Sequence, residues 1–255
     1  MITNTLKEKI RNGRPLLGVL SPTADGILCE YTGLAGLDFY MIDAEHGPID
    51  PFIALQMVRA CQTVKLPCLA RIGSIDKKVI LQYLDAGIEG VMIPGLTSAE
   101  GVANMVQAVR YPPLGKRGLG PVRSASYLMA GQSQWDYVQY ANENVLLLPQ
   151  IEDIAIVDEL DEIVKMDGVD GFVIGPRDLA MSMGFYDGPA HKEAQQMVNH
   201  IIKTVVHSGK LCGTVASTAE QAQSLIDQGV KIIINSVQTI YISGIKNFIQ
   251  SIKYK

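Results

Sequence analysis

Five times along this chain a mixed polar and apolar stretch closes on a glycine, and a short, almost unbroken apolar run follows. "LAGLDFYMID", "LDAGIEGVMIP", "MDGVDGFVIGP", "HSGKLCGTVA" and "DQGVKIIINS" all follow that plan. Glycine just past a helix end takes the left-handed backbone that other residues resist. A run that is apolar at every position, and not only at alternate ones, suits a parallel strand covered on both faces. Parallel neighbours must be joined by crossovers, and helices make them. The repeated unit therefore restricts the chain to the α/β folds.

Counting the apolar runs predicts eight strands: Leu16–Leu20, Phe39–Ile42, Cys68–Ile72, Gly90–Ile93, Val145–Gln150, Gly171–Ile174, Leu211–Val215 and Ile232–Asn235. Helical patterns fill the gaps, for example at Pro51–Cys61, Lys77–Ala86, Ser98–Val109, Ile154–Lys165, Lys192–His207, Thr218–Asp227 and Val237–Ile252. Thr3–Asn12 reads as an extra helix ahead of the first strand. Eight alternating units in 255 residues predict one (β/α)8 TIM barrel over residues 1–255, and not an open doubly wound sheet. No linker divides the chain. One connection is long, "RYPPLGKRGLGPVRSASYLMAGQSQWDYVQYANEN", and holds the single tryptophan, Trp135. Loops of this length are functional or disordered. The aromatic residues of its second half point to packing, although a plain surface insertion fits the composition equally well.

Charged residues make up 19% of the chain, the net charge is −4, and no basic block occurs. Nucleic acid and anionic membrane surfaces are poor partners for such a chain. "MITNTLKEKIRNG" lacks the apolar core of a signal peptide, and no apolar run is long enough to span a bilayer. Cys29, Cys61, Cys68 and Cys212 form no Cys-x-x-Cys pair and read as small apolar residues. These features lead us to expect a cytoplasmic protein.

Barrel chemistry sits at the C-terminal ends of the strands. Strand two is followed by Asp43, Glu45 and His46, and strand three ends in Arg71. Strand four is followed by Pro94 and Gly95, and strand five by Gln150 and Glu152. Strand six leads to Gly175, Arg177 and Asp178, and strand eight to Asn235 and Ser236. The opposite ends begin with Lys65, Lys210 and Lys231. Each rim residue also has a plain structural use. His46 can cap a turn, Arg71 can pair with Glu45, Glu152 can favour the next helix start, and Asp178 can be an N-cap. Their gathering on one mouth from different strands favours catalysis.

Glu152 and Asp178 follow adjacent strands, so their carboxylates can reach one point. Two hard oxygens without a Cys or His pair suit Mg²⁺ or Mn²⁺, with water or a chelating 2-oxo acid completing the shell. The alternative is two carboxylates held apart by backbone N–H groups. "GPRDLA" reads as a turn into a brief helix whose first N–H groups can hold a substrate carboxylate. An enolate is stabilised either by a Schiff-base lysine or by a metal acting as Lewis acid. No lysine lies within a strand or at a strand's C-terminal end, which favours the metal.

"DAEHGP", "ARIG", "YLDAGIEGVMIP", "RYPPLGKRGLG", "PQIED" and "GPRDLAMSMG" together resemble the class II pyruvate-dependent aldolases of the HpcH/HpaI type, through nearly the whole chain. The resemblance implies a divalent metal (Mg²⁺, Mn²⁺ or Co²⁺) and aldol cleavage of a 4-hydroxy-2-oxo acid to pyruvate and an aldehyde. It implies His46 as base, Arg71 as stabiliser of the enolate oxygen, and Glu152 and Asp178 as metal ligands. Gln150, Arg177 and Asp178 would contact substrate, with Gly175 beside them. Asp85 would raise the basicity of His46, a role for which Asp43 competes. Arg123 and Tyr127 would read the aldehyde or close the site. It further implies a homo-oligomer, dimers built into hexamers, with the last helix exchanged between subunits. Oxaloacetate decarboxylation, other enolate lyases and a non-catalytic keto-acid-binding barrel are the competing functions.

Overall fold

The eight apolar runs pair as eight parallel strands, and the first closes on the last. They are β1 (Leu16–Ser21), β2 (Phe39–Asp43), β3 (Cys68–Arg71), β4 (Gly90–Ile93), β5 (Leu146–Ile151), β6 (Gly171–Ile174), β7 (Leu211–Val215) and β8 (Ile232–Ser236). They form a closed barrel in sequence order, sealed by β1 against β8 from Leu16↔Ile232 to Leu20↔Ser236. A computed structural model provides these coordinates and describes residues 5–129, 131 and 133–252. Strand limits match the sequence expectation to within one residue.

Alternation still operates inside the apolar runs. Phe39 and Met41 of β2 point into the barrel with Leu69, Met92, Leu146 and Val173, while Tyr40 and Ile42 pack outward under the helices. Both faces are buried, so Phe39–Ile42 is apolar on both. Gly18 on β1 is required by this interior, because the Phe39 ring fills the space a β-carbon would take.

The helices are α1 (Thr5–Arg11), α2 (Gly26–Leu34), α3 (Pro51–Thr63), α4 (Lys77–Ala86), α5 (Ala99–Val109), α6 (Gln134–Asn144), α7 (Ile154–Val157), α8 (Leu160–Ile163), α9 (Pro176–Ser182), α10 (Lys192–His207), α11 (Ala219–Asp227) and α12 (Val237–Ser251). Asp50, Asp76, Ser98 and Thr218 cap α3, α4, α5 and α11 by accepting from backbone N–H groups. The helix expected over Ile154–Lys165 is instead two single turns. Glu159 leaves the helical region at φ −103°, ψ 11°, and its carboxylate accepts from the Ala99 N–H at the start of α5.

Helix α2 fills the gap between β1 and β2 with its apolar residues facing outward. Only Cys29 and Thr32 are buried, while Ile27, Tyr31 and Leu34 are exposed. The long connection is ordered in its second half. Ser133 and Asp136 form a capping box for α6, and Tyr137, Val138 and Ala141 pack with Tyr111 and Ala125. Trp135 itself is exposed.

The expected first helix is seen as α1; positions 3 and 4 lie outside the described residues. Leu6 is fully buried among the barrel's inner residues. Lys7 pairs with Asp170 at 2.7 Å and Lys9 with Asp38 at 2.8 Å, closing the N-terminal end of the barrel. At the other terminus, α12 leaves Ile240, Tyr241, Ile242, Ile245, Phe248 and Ile249 exposed. Among the described residues no helix is long and apolar enough to cross a membrane. All four cysteines are buried and unbridged.

Candidate active site

The turn after β2 is fixed by one carboxylate. Asp43 Oδ1 accepts from the N–H groups of Glu45 at 3.3 Å and His46 at 3.2 Å. Gly47 N–H donates to the Asp43 carbonyl at 3.0 Å, and a β-carbon at Gly47 would lie 2.8 Å from Pro22 Cα. Only glycine fits there, so the turn is tight and its side chains are placed by the backbone.

Asp43 faces Arg71 across the β2–β3 ladder. Arg71 donates from Nε to Oδ1 at 2.9 Å and from Nη2 to Oδ2 at 2.6 Å, and both residues are buried. Such a two-pronged pair fixes the plane of the guanidinium as well as its place. Nη1 lies 3.2 Å from Glu45 Oε2. The same oxygen is 3.8 Å from His46 Nε2, on a ring whose side chain is 65% exposed. Acid, base and guanidinium therefore form one chain along the rim.

Strands β5 and β6 supply the second half. Glu152 Oε1 accepts from the Gly95 N–H at 2.7 Å, after β4, and its Oε2 accepts from the Gln150 amide. Burial is the main reason the Glu152 carboxyl rises above its ordinary range. The Gly95 bond opposes that rise, the nearby charges of Glu45 and Asp178 add to it, and Arg71 opposes it. A β-carbon at Gly175 would stand 2.7 Å from Gln150 Nε2 and 3.0 Å from Glu152 Oε2. Bare backbone at Gly175 thus lets β6 meet this pair. Asp178 and Arg177 are exposed in the first turn of α9, whose N-cap is Gly175 and not Asp178.

These residues suit a small divalent cation. Glu152 and Asp178 offer hard oxygens close enough for the charge of one to raise the proton affinity of the other. Gln150 Oε1 is buried without a hydrogen-bond partner in the same place. No group of three or more His, Cys, Asp or Glu side chains converges on a metal-sized point among the described residues. Two protein carboxylates, with the other positions left to water or a chelating substrate, is a common arrangement for Mg²⁺.

A cavity of about 890 Å³ opens over this mouth. Arg71, Gln150, Gly175, Arg177 and Asp178 line its barrel end, Asn235 and Ser236 lie at its side, and α10 and α11 add Gln195, Asn199 and Gln221. The helix residues carry no signal in the sequence, since polar residues near a helix start are ordinary. The sequence offers Glu45 as a partner for Arg71, and its adjacency to His46 is the one clue to the approach of those two side chains.

Within one chain three expected residues stand elsewhere. Asp43 does not face the His46 ring, because both its oxygens are taken by Arg71 and the turn backbone. Asp85 pairs with Arg117 at 3.1 Å, near the end of α4, and lines a second cavity of about 680 Å³. Arg123 lies in that cavity too, donating to the Ala86 carbonyl at 3.1 Å and to Gln62, with Tyr127 beside it. Within one chain neither Asp85, Arg123 nor Tyr127 lines the barrel mouth.

The chain is similar to known proteins. Residues 16–242 match the family described as HpcH/HpaI aldolase/citrate lyase. A hydroxypyruvate/pyruvate aldolase of Deinococcus radiodurans is 32% identical over 242 residues, covering 93% of this chain and 85% of the relative. A 2-keto-3-deoxy-L-rhamnonate aldolase of Escherichia coli is 32% identical over 252 residues, covering 95% and 90%. The crystal structure of an HpcH/HpaI aldolase/citrate lyase family protein from Burkholderia cenocepacia superposes with a TM-score of 0.88 at 28% identity, covering 97% of this chain and 98% of the other.

Proposed function

The chain belongs to the HpcH/HpaI aldolase/citrate lyase family, and from that premise we propose that it is a carbon–carbon lyase, a class II aldolase. It cleaves a 4-hydroxy-2-oxo acid reversibly into pyruvate and an aldehyde. Glu152 and Asp178 would hold a divalent cation, Mg²⁺ or Mn²⁺ with Co²⁺ as a substitute, which would supply Lewis acidity at the 2-oxo group.

The side chains divide the remaining work. Gln150, with its unpartnered Oε1, and the backbone of Gly175, Arg177 and Asp178 hold the pyruvate end. His46 accepts the proton of the C4 hydroxyl as the C3–C4 bond breaks. The bond pair moves onto the pyruvate fragment as an enolate. Arg71, already fixed in plane by Asp43, donates to the enolate oxygen without needing to reorganise. Protonation at C3 then releases pyruvate.

The observation that supports this function best is the pairing of a buried, immobilised Arg71 with the Glu152–Gln150–Gly175 cluster at one barrel mouth. The test is exchange of the pyruvate C3 protons with deuterated water, followed by NMR. Exchange should require added metal, stop in EDTA, and be lost in Glu152→Ala and Asp178→Ala. Exchange that continues unchanged in EDTA refutes the function.

A homo-oligomer is part of the same proposal. Helix α12 exposes Ile245, Phe248 and Ile249, while β1 and α2 leave Leu17, Ile27, Tyr31 and Leu34 uncovered. Exchange of α12 between copies covers both surfaces, and Asp85 and Arg123 would meet a barrel mouth only in another copy. Light scattering after gel filtration should show a multimer. Phe248→Asp with Ile249→Asp should shift it toward the monomer, and an unchanged mass would refute the exchange.

A further inference from the structure

We propose that Arg117 is a positioning residue acting across a subunit boundary: it fixes the Asp85 carboxylate on a wall that faces the barrel mouth of another copy. The proposal rests on the aldolase function above, whose oligomer brings Asp85 to such a mouth, while the seat of Arg117 is read from this chain alone.

Arg117 is held on every side. Its side chain is 1% exposed, and its guanidinium lies over the Tyr111 ring, 4.6 Å from the centroid. The backbone that carries it is pinned to the end of α5. Lys116 N–H donates to the Gln107 carbonyl at 2.8 Å and Arg117 N–H to the Arg110 carbonyl at 2.9 Å. A β-carbon at Gly115 would stand 2.4 Å from that same Arg110 oxygen, so glycine alone lets the connection come so close. From this seat Arg117 Nη2 donates to Asp85 Oδ1 at 3.1 Å, while its Nε is buried without a partner. A buried cation must be paired, so the guanidinium and the Asp85 carboxylate fix one another.

Asp85 is the open end of the pair. Its side chain is 23% exposed and lines the second cavity with Arg59, Arg123 and Tyr127. Burial raises its proton affinity, and the charge and hydrogen bond of Arg117 oppose that rise. The other charged groups around the pair are Arg123 of the same connection, Arg59 on α3 and Asp50 at its cap. Glu89 lies beside Arg117 on a small cavity of about 40 Å³. Across the boundary the facing mouth adds its own Glu45, His46 and Arg71. There a fixed negative charge favours the imidazolium that forms as His46 takes the C4 hydroxyl proton. Arg117 and Asp85 gain and lose no atom. Without Arg117 the carboxylate is free to turn and takes up a proton more readily, and the charge facing the mouth is lost.

The experiment is turnover of the full-length, Mg²⁺-loaded protein, read as addition of pyruvate to glycolaldehyde or glyoxylate. Arg117→Met and Asp85→Asn should each lower kcat roughly tenfold or more, and Arg117→Lys should recover part of the loss. In Arg117→Met the acid limb of the pH profile should lie about one pH unit higher, since burial then acts on Asp85 unopposed. The double variant Arg117→Met with Asp85→Asn strands no charge, and so folds even where Arg117→Met alone does not. Its turnover should lie within about twofold of Asp85→Asn, because Arg117 acts only through Asp85. In oligomers co-expressed from Arg117→Met and Arg71→Met chains, an intact mouth on one chain meets an intact Arg117–Asp85 pair on the other. Activity should then rise well above that of either variant alone. Losses that multiply in the double variant, or co-expressed chains no more active than their parents, overturn the proposal. A wild type that adds pyruvate to neither aldehyde would instead remove the aldolase function, and the proposal with it.

Discussion

Replacing Asp43 with Asn separates the charge of that side chain from its shape. The carboxylate holds a buried guanidinium at 2.9 and 2.6 Å and two backbone N–H groups of the following turn. Asn keeps Oδ1 as an acceptor but puts an NH2 donor opposite Arg71 Nη2, where two donors meet. Removing one partner of a buried ion pair destabilises by about 3–5 kcal/mol, because the other charge is left uncompensated. Glu45 remains 3.2 Å from Nη1, so the lower end, about 3 kcal/mol, applies. In a chain of this length that corresponds to a fall in melting temperature of roughly 6–12 °C. Thermal unfolding followed by circular dichroism at pH 7 measures it. Arg71→Met, which strands Asp43 in turn, should be comparably harmful, and the double variant should lose much less than the sum of the two. An Asp43→Asn protein melting within about 2 °C of the wild type, or two losses that simply add, would refute the view that Asp43 exists to seat Arg71.

Gly175→Ala places a methyl group 2.7 Å from Gln150 Nε2 and 3.0 Å from Glu152 Oε2; metal affinity by calorimetry and turnover should fall at least tenfold while the melting temperature drops by only a few degrees, and wild-type turnover would exclude the close approach. Burial pushes Glu89 up to about 7 from its ordinary 4.5. The unfolded chain releases this proton first, so stability is full below about 4.5, declines as pH rises toward 7, and then levels. Glu89→Gln should therefore gain in melting temperature over the wild type between pH 5 and 7.5, and a pH-independent difference would contradict this.

The barrel was legible because its signal is repeated eight times and local. A buried parallel strand is apolar throughout, and its glycine boundary marks the helix before it. The rim residues were legible for the same reason, since the strand ends locate them: Arg71, Gln150, Glu152 and Gly175 all meet at the mouth. Pairings between side chains were harder to foresee. Asp43, Glu45 and Asp85 are all acids, and the sequence offers no means of telling which of them meets Arg71. That depends on the Asp43–Arg71 ladder pair, a contact between different strands. The break in the helix expected over Ile154–Lys165 is not legible because the engagement of Glu159 with Ala99 is not local.

The short helix under the barrel grips it at two widely separated seams. Lys9 reaches Asp38, which also takes the Leu17 N–H at the head of β1 and β2, while Lys7 reaches Asp170, which takes the Leu147 N–H between β5 and β6. Those seams lie on opposite sides of an eight-stranded ring, so α1 acts as a spoke across a hoop. Pulled open at any one seam, the hoop stays under restraint from the far rim. Clipping the first dozen residues should leave every strand pair intact yet let the cylinder flatten, and amide exchange in β5 and β6 should quicken along with that near the chain's own beginning.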